Sequence, residues 1–156
     1  MAVVTDADLQ YDRAFETHWD DVFRFSLAWT NDWSAAEDLA QDAYLRLWQH
    51  RATLDWDHPV LPWLLVAARR LATDRFRSLS RRILPRASDT PFDEATQARW
   101  LDVRSAMSRL STLERTALVL TAVDGWTYSE VATAMGTSDG ALRAAVSRAR
   151  EKLEVA

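Results

Sequence analysis

Residues 35–48 read AAEDLAQDAYLRLW, from Ala35 to Trp48. Apolar side chains recur at Ala36, Leu39, Ala40, Ala43, Tyr44, Leu47 and Trp48. That spacing of three and four puts them on one face of an α-helix. Opposite them run Asp38, Gln41, Asp42, Leu45 and Arg46, a polar stripe with one leucine in it. Upstream, Asn31-Asp32 breaks an earlier helix expected from about Asp8 to Trp29. Ser34 is the expected cap of the second helix, with Glu37 three residues on completing a capping box, and the helix is expected to reach about His50.

Moving outward, residues 53–62 (TLDWDHPVLP) hold two prolines and two further acids and read as a loop. Pro62 suits the first turn of a third helix that runs to about Ser80. The polar stretch 82–94, with Pro85 and Pro91, reads as a flexible linker and sets the domain boundary. Beyond it four helices are expected, at about 95–109, 112–123, 128–135 and 138–153. Asp124-Gly125 ends one of them, Gly136 ends another, and Thr137 or Ser138 can cap the last. A short helix, a glycine turn and a longer helix carrying Arg148, Arg150 and Lys152 make a helix-turn-helix pattern. In it Val131 and Met135 face Leu142, Val146 and Leu153 at core spacing. The expected architecture is all-α: an N-terminal helical bundle (8–81), the linker (82–94) and a C-terminal four-helix domain (95–154).

Composition narrows the function classes. With 48% apolar residues the chain is not disordered, and only 3 glycines and 4 prolines disfavour a turn-rich β fold. The absence of cysteine excludes disulfides, thiolate metal sites and a cysteine nucleophile, and fits a reducing cytoplasm. No apolar run approaches the roughly 18–20 residues that span a bilayer, so no membrane insertion is expected. The stretch from Met1 to Leu9 is acidic, unlike the basic start of a signal peptide. The net charge of −4 is unevenly spread. Residues 1–68 hold 12 acids and 4 bases, whereas residues 69–86 hold 7 arginines and one aspartate. An acidic head followed by an arginine block implies two different partners, unless the block is only a solvated helix face.

Three segments, in order, carry a family resemblance. AAEDLAQDAYLRLW resembles the signature helix of the sigma-70 superfamily, in the form found in extracytoplasmic-function (ECF) sigma factors. WLLVAARRLATDRFR, from Trp63 to Arg77, is similar to the helix that follows in that family. The stretch from Leu110 to Leu153, including TYSEVATAMGTSDGALRAAVSRAREKL, resembles its promoter-reading domain. The resemblance implies a sigma factor that binds core RNA polymerase and directs promoter recognition, melting and initiation.

It also implies residue roles. Asp38, Gln41, Asp42, Leu45 and Arg46 become a docking face for the clamp helices of the polymerase β′ subunit; without the resemblance they would read as solvated surface. Arg69, Arg70, Thr73 and Arg77, with Arg81 and Arg82 beyond, become contacts to the melted minus-ten strand, for which forked guanidinium donors suit phosphates. Trp56, in the preceding loop, is the candidate on which a base would stack, the other reading being a ring packed on its own domain. Trp63 falls on the apolar side, and Asp74 reads as the partner of an arginine on its own helix. Gly140, Arg143, Ser147, Arg148 and Arg150 become contacts to the minus-thirty-five duplex, Gly140 by allowing close backbone approach. After Gly140 the family pattern has threonine, a β-branched residue, a basic residue, serine and arginine; this chain has Ala141, Leu142, Arg143, Ala144 and Ala145. Read as lost polar contacts, the alanines imply a helix that holds phosphates better than it discriminates bases. Ala145→Arg is then expected to restore a contact.

Other classes fit less of the chain. No HExxH, phosphate loop or nucleophile elbow is present, so catalytic residues and cofactors are expected to be none. His18, His50 and His58 are dispersed; His50 and His58 near Asp55 and Asp57 read as loop surface rather than as a metal site. A helix-turn-helix regulator would account for the C-terminal half alone. A polymerase-binding adaptor with weakened DNA reading would account for the alanines. An anti-sigma factor is a further partner that the resemblance allows.

Overall fold

The computed structural model describes residues 2–79 and 92–154, with the side chains of 76–79 left aside. The described part is all-α: α1 (Asp6–Thr30), α2 (Trp33–His50), α3 (Val60–Leu79), α4 (Glu94–Met107), α5 (Thr112–Leu118), a π-helical turn (Val119–Val123), α6 (Tyr128–Met135) and α7 (Asp139–Glu154). The expected linker lies, up to Pro91, outside the described residues, as do Arg81 and Arg82. The side chain of Arg77 also falls outside them.

The helix starts follow from their caps. Thr5, Ser111 and Thr127 each accept a bond from the backbone N–H three residues on, and Asp8, Glu114 and Glu130 reach back to complete capping boxes. The start of α2 departs from expectation. Asp32, not Ser34, is the cap, its carboxylate accepting from Ala35 N–H at 2.8 Å. The helix therefore begins at Trp33, and Glu37 is drawn away to accept from the Trp33 indole at 3.1 Å. Ser138 caps α7, accepting from Ala141 N–H at 3.1 Å. Two helices end on left-handed residues: α1 at Asn31 (φ 51°) and α6 at Gly136 (φ 66°).

The first three helices pack on one another through Val22, Phe25, Leu39, Tyr44, Leu47, Leu64, Leu65 and Ala68, all buried. The Tyr44 hydroxyl satisfies itself by donating to the Ala14 carbonyl at 3.1 Å. The apolar face of α2 is buried as expected except for Trp48, which is 39% exposed. Its ring leans on Tyr11 instead and carries the Arg51 guanidinium 3.5 Å above its centre. The C-terminal helices close around Leu120, Val131, Leu142, Val146 and Ala149. The two groups of helices also pack together: α5 and the π-helical turn lie against α1, and α6 lies against α3.

Candidate polymerase-docking and DNA-binding surfaces

On α2, Asp38, Gln41 and Leu45 stand exposed on one surface, Leu45 at 54%. With Trp48 next to them they form an apolar spot inside a polar field, which suits docking to another protein. The rest of the expected stripe turns elsewhere. Asp42 is half-buried and paired with Arg75 of α3. Arg46 turns toward α3 and lines a pocket of about 530 Å³ with Arg69, Arg70, Thr73 and Asp74. Trp48 was missed as a surface residue because its spacing put it on the apolar face; only the aromatic and cationic neighbours at Tyr11 and Arg51 show why it can stay out.

The structure gathers Arg69, Arg70 and Thr73 on one side of α3, as their spacing implied. Arg46 joins them from α2, an addition the sequence assigned to the other surface. Trp29 and Met135 supply the apolar part of the same pocket. The Thr73 hydroxyl donates to the Arg69 carbonyl at 2.9 Å. Trp56 is half-buried against the N-terminal core, and its indole N–H donates to the Arg51 carbonyl at 2.9 Å. The ring is thus fixed by its own domain, which a stacking platform requires and a purely packed ring also shows. Nearby, Asp8 accepts from Arg51 at 2.6 Å. That bond, with those from Thr5, lowers the Asp8 carboxyl to about 2.

In the helix-turn-helix, Gly140, Arg143, Ser147 and Arg150 share one exposed face of α7. A Cβ at Gly140 would meet nothing within 4 Å, so the glycine is not there for packing against the preceding helix. The Arg143 guanidinium lies 4.5 Å over the Tyr128 ring. Arg143 and Arg150 line a shallow groove of about 450 Å³ together with Thr127, Tyr128, Ser129 and Asp139. The start of α6 thus belongs to the same surface; its capping box was a visible signal, but it marked a helix start rather than a binding edge. Arg148 points away from that face. Its Nε donates to Glu114 of α5 at 3.3 Å, and Lys152 donates to the same carboxylate at 2.8 Å. Glu114 is only 4% exposed. The Lys152 bond, then the Ser111 backbone N–H and Arg148, hold its carboxyl below the usual range against the opposing effect of burial.

The alanines after Gly140 divide. Ala144 is exposed, but Ala145 is fully buried between Leu142 and Ala149. Position 145 is therefore a core position of this helix, and its alanine is a packing residue, not a vacated base contact. The histidines do not converge: His50 Nδ1 contacts the Arg46 carbonyl at 2.9 Å and His58 Nδ1 contacts Asp55 at 2.8 Å. Among the described residues no three His, Asp or Glu side chains are grouped to hold a metal ion, and no helix is long and apolar enough to cross a membrane.

Comparison with known proteins bears on the whole arrangement. Residues 14–82 match the family model for sigma-70 region 2, and residues 100–153 that for sigma-70 region 4. A probable RNA polymerase sigma-C factor of Mycobacterium bovis is 31% identical over 140 residues, covering 85% of this chain and 75% of that protein. The chain is an ECF sigma factor of the sigma-70 superfamily. Another relative of this ECF chain, the probable RNA polymerase sigma factor RfaY of Xanthomonas campestris pv. campestris, is 37% identical over 144 residues. That alignment covers 83% of this chain but 36% of the relative. Among solved structures, the sigma factor RpoE of Bartonella quintana, crystallised with the anti-sigma factor NepR, has a TM-score of 0.72 at 21% identity. It covers 92% of this chain and 94% of its own. CnrH, in complex with the cytosolic domain of CnrY, has a TM-score of 0.70 at 23% identity, covering 93% of this chain and 85% of its own. Both likenesses concern the fold.

Proposed function

We propose that this ECF chain directs transcription initiation, its N-terminal part (8–81) binding core RNA polymerase and the melted minus-ten strand, its C-terminal part (95–154) reading the minus-thirty-five duplex. The observation that supports this most is the presence of region 2 and region 4 matches in one chain, in that order. Each brings a surface with suitable chemistry. Asp38, Gln41 and Leu45 offer a mixed polar and apolar docking face on α2. Arg46, Arg69 and Arg70 offer a cleft in which phosphates can be held, and Trp56 offers a fixed ring in the loop before α3. Arg143, Ser147 and Arg150 offer a groove-facing edge on α7. Arg148 and Arg77 complete the proposed set, Arg148 after release from Glu114. The place of action is the cytoplasm, and an anti-sigma protein is a proposed inhibitor, since two proteins of like fold were solved with partners, NepR in one and the cytosolic domain of CnrY in the other.

The test is transcription by purified core polymerase from a pool of genomic fragments, with and without the chain, followed by mapping of the RNA 5′ ends. Initiation that depends on the chain and clusters upstream on a shared pair of elements is the expected result. If the chain binds polymerase but adds no new start sites, it is an adaptor; if it binds duplex without polymerase and adds none, it is a helix-turn-helix regulator.

A further inference from the structure

Of the 19 lysine and arginine side chains in this sequence, Lys152 alone is an amine. A guanidinium stays charged throughout the range in which proteins fold, whereas an ammonium can lose its proton and accept an acyl group. The amine stands at a particular place. Glu114 of α5 is buried and is met by two cations from the last turns of α7. Lys152 Nζ donates to Oε2 at 2.8 Å, and Arg148 Nε donates to Oε1 at 3.3 Å. Both cationic side chains are about half exposed, while that of Glu114 is 6% exposed. The carboxylate cannot follow its partners outward. Its neighbour Arg115 is buried and donates to the Trp29 carbonyl at 2.7 Å and to the Met107 carbonyl at 3.4 Å, which ties α5 to the carbonyl ends of α1 and α4.

One cation can leave this carboxylate while the other stays. Arg148 and Lys152 are four residues apart on one helix, so their like charges repel. With Lys152 in place, Glu114 keeps a partner when Arg148 turns outward. Without the Lys152 charge that repulsion is gone, Arg148 is the last cation on Glu114, and its release leaves a buried anion unpaired. We propose that Lys152 is the holding cation that frees Arg148 for a DNA phosphate, and that acylation of its amine turns α7 to a weaker duplex-binding state. The donor class is an acyl phosphate. Nζ gives its proton to water and attacks the acyl carbon; the bond from that carbon to the phosphate oxygen breaks. Inorganic phosphate leaves with the electron pair and takes up the second amine proton. The amide formed is neutral and no longer an ion-pair partner. The contact of Arg148 with DNA rests on the initiation reading; the sharing of Glu114 by two cations does not.

Three measurements on the full chain test this. After treatment with acetyl phosphate, peptide mass spectrometry should find acetyl on Lys152; acetylation of the N-terminal amine without Lys152 refutes the modification site. Lys152→Gln reproduces the loss of charge in every molecule. With helicity unchanged by circular dichroism, the Arg148 Nε–H should exchange with water more slowly in this variant than in the wild type, as read by ¹⁵N NMR. Equal or faster exchange, in the variant and in the acetylated wild type, refutes the holding role whether or not the chain binds DNA. On a fluorescent mixed-sequence duplex Lys152→Gln should bind about tenfold more weakly, the scale of one charge-assisted bond that Arg148 must now give up. Lys152→Arg, which keeps the charge, should bind as the wild type does. In an Arg148→Ala background Lys152→Gln should cost less than about threefold, the effect of a distant exposed charge. An equal loss in both backgrounds makes Lys152 a general charge and overturns the proposal. A wild type that binds no duplex counts against the initiation reading, and the exchange measurement still decides the role of Lys152.

Discussion

Ala145→Arg distinguishes a packing alanine from a missing DNA contact. Ala145 has no exposed surface, and Leu142, Val146 and Ala149 around it are at most 2% exposed. An arginine there must push at least its first methylenes into a filled core, which costs about 1–3 kcal/mol by overpacking alone. Its head can reach water only by snorkelling past neighbouring side chains, since a guanidinium left inside would cost several kcal/mol more. A net loss of about 2–3 kcal/mol corresponds to a fall in Tm of about 4–12 °C for a chain of this size. Ala144→Arg, one residue away but exposed, should change stability by no more than about 0.5 kcal/mol. The assays are thermal unfolding by circular dichroism and mobility shifts of the full chain on a promoter duplex. The buried variant should melt early and gain no affinity; the exposed one should melt normally and bind duplex more tightly at low salt. An Ala145→Arg protein with unchanged Tm and tighter, sequence-selective binding would refute this reasoning and return position 145 to the reading surface.

Asp38→Ala with Leu45→Ala should weaken binding to core polymerase by tenfold or more, about 1.4 kcal/mol, while leaving Tm nearly unchanged, as measured by competition with a labelled sigma factor; a large loss of Tm would make these residues structural. Arg69→Ala with Arg70→Ala should reduce open-complex formation more than polymerase binding, with a permanganate-footprint deficit that narrows as salt rises, because the lost contacts release counterions. Glu114→Gln should lower stability by about 1–3 kcal/mol, since a buried carboxylate that accepts from Lys152, Arg148 and Ser111 is replaced by an amide. Acid should act in the same direction on the wild type: the carboxyls of Asp8 and Glu114 are held lower in the fold than in the open chain. Their contribution is therefore full above the ordinary carboxylate range, about pH 4–5, and is lost as pH falls through the folded values. A melting temperature that stays flat from pH 6 to pH 3 would contradict this.

Helix identity was legible because periodicity and caps are local. The spans of α2, α6 and α7 came within two residues of expectation, and the misplaced cap, Ser34 for Asp32, arose because two residues with the right chemistry stand two positions apart. Surface assignment was less legible, for three separate reasons. Trp48 has core spacing but is held outside by Tyr11 and Arg51, neither of them on α2. Arg148 has the spacing of a DNA contact but is recruited by Glu114, 34 residues earlier in the chain. Ala145 belongs to a family position of polar character, yet here it faces Leu142 and Ala149 inside the core. Ala145 stands three and four residues from Leu142 and Ala149, a core spacing that the family pattern overrode; the other two turn on Tyr11 and Glu114, distant in sequence, and periodicity carries no information about such neighbours. The contact between the two halves was invisible for the same reason: Arg115 reads as one more charged residue in a helix until the carbonyl ends of α1 and α4 are brought to it.

The π-helical turn at Val119–Val123 closes wider rings than the α-helix before it, and Asp124 and Trp126 bond back to Val119 and Leu120 across it. Such a turn holds one residue more than the α-helical path would need. Removing one residue there would let α5 run on as ordinary α-helix and leave the chain beyond in nearly the same orientation, because the wider turn absorbs its extra residue locally. Asp124 would then stay close to Arg24, and α6 and α7 would keep their place. A one-residue change of length in the α-helical part of α5 would instead turn everything beyond by about 100°, so the wide turn is a place where this segment can change length and still present α6 and α7 at the same angle.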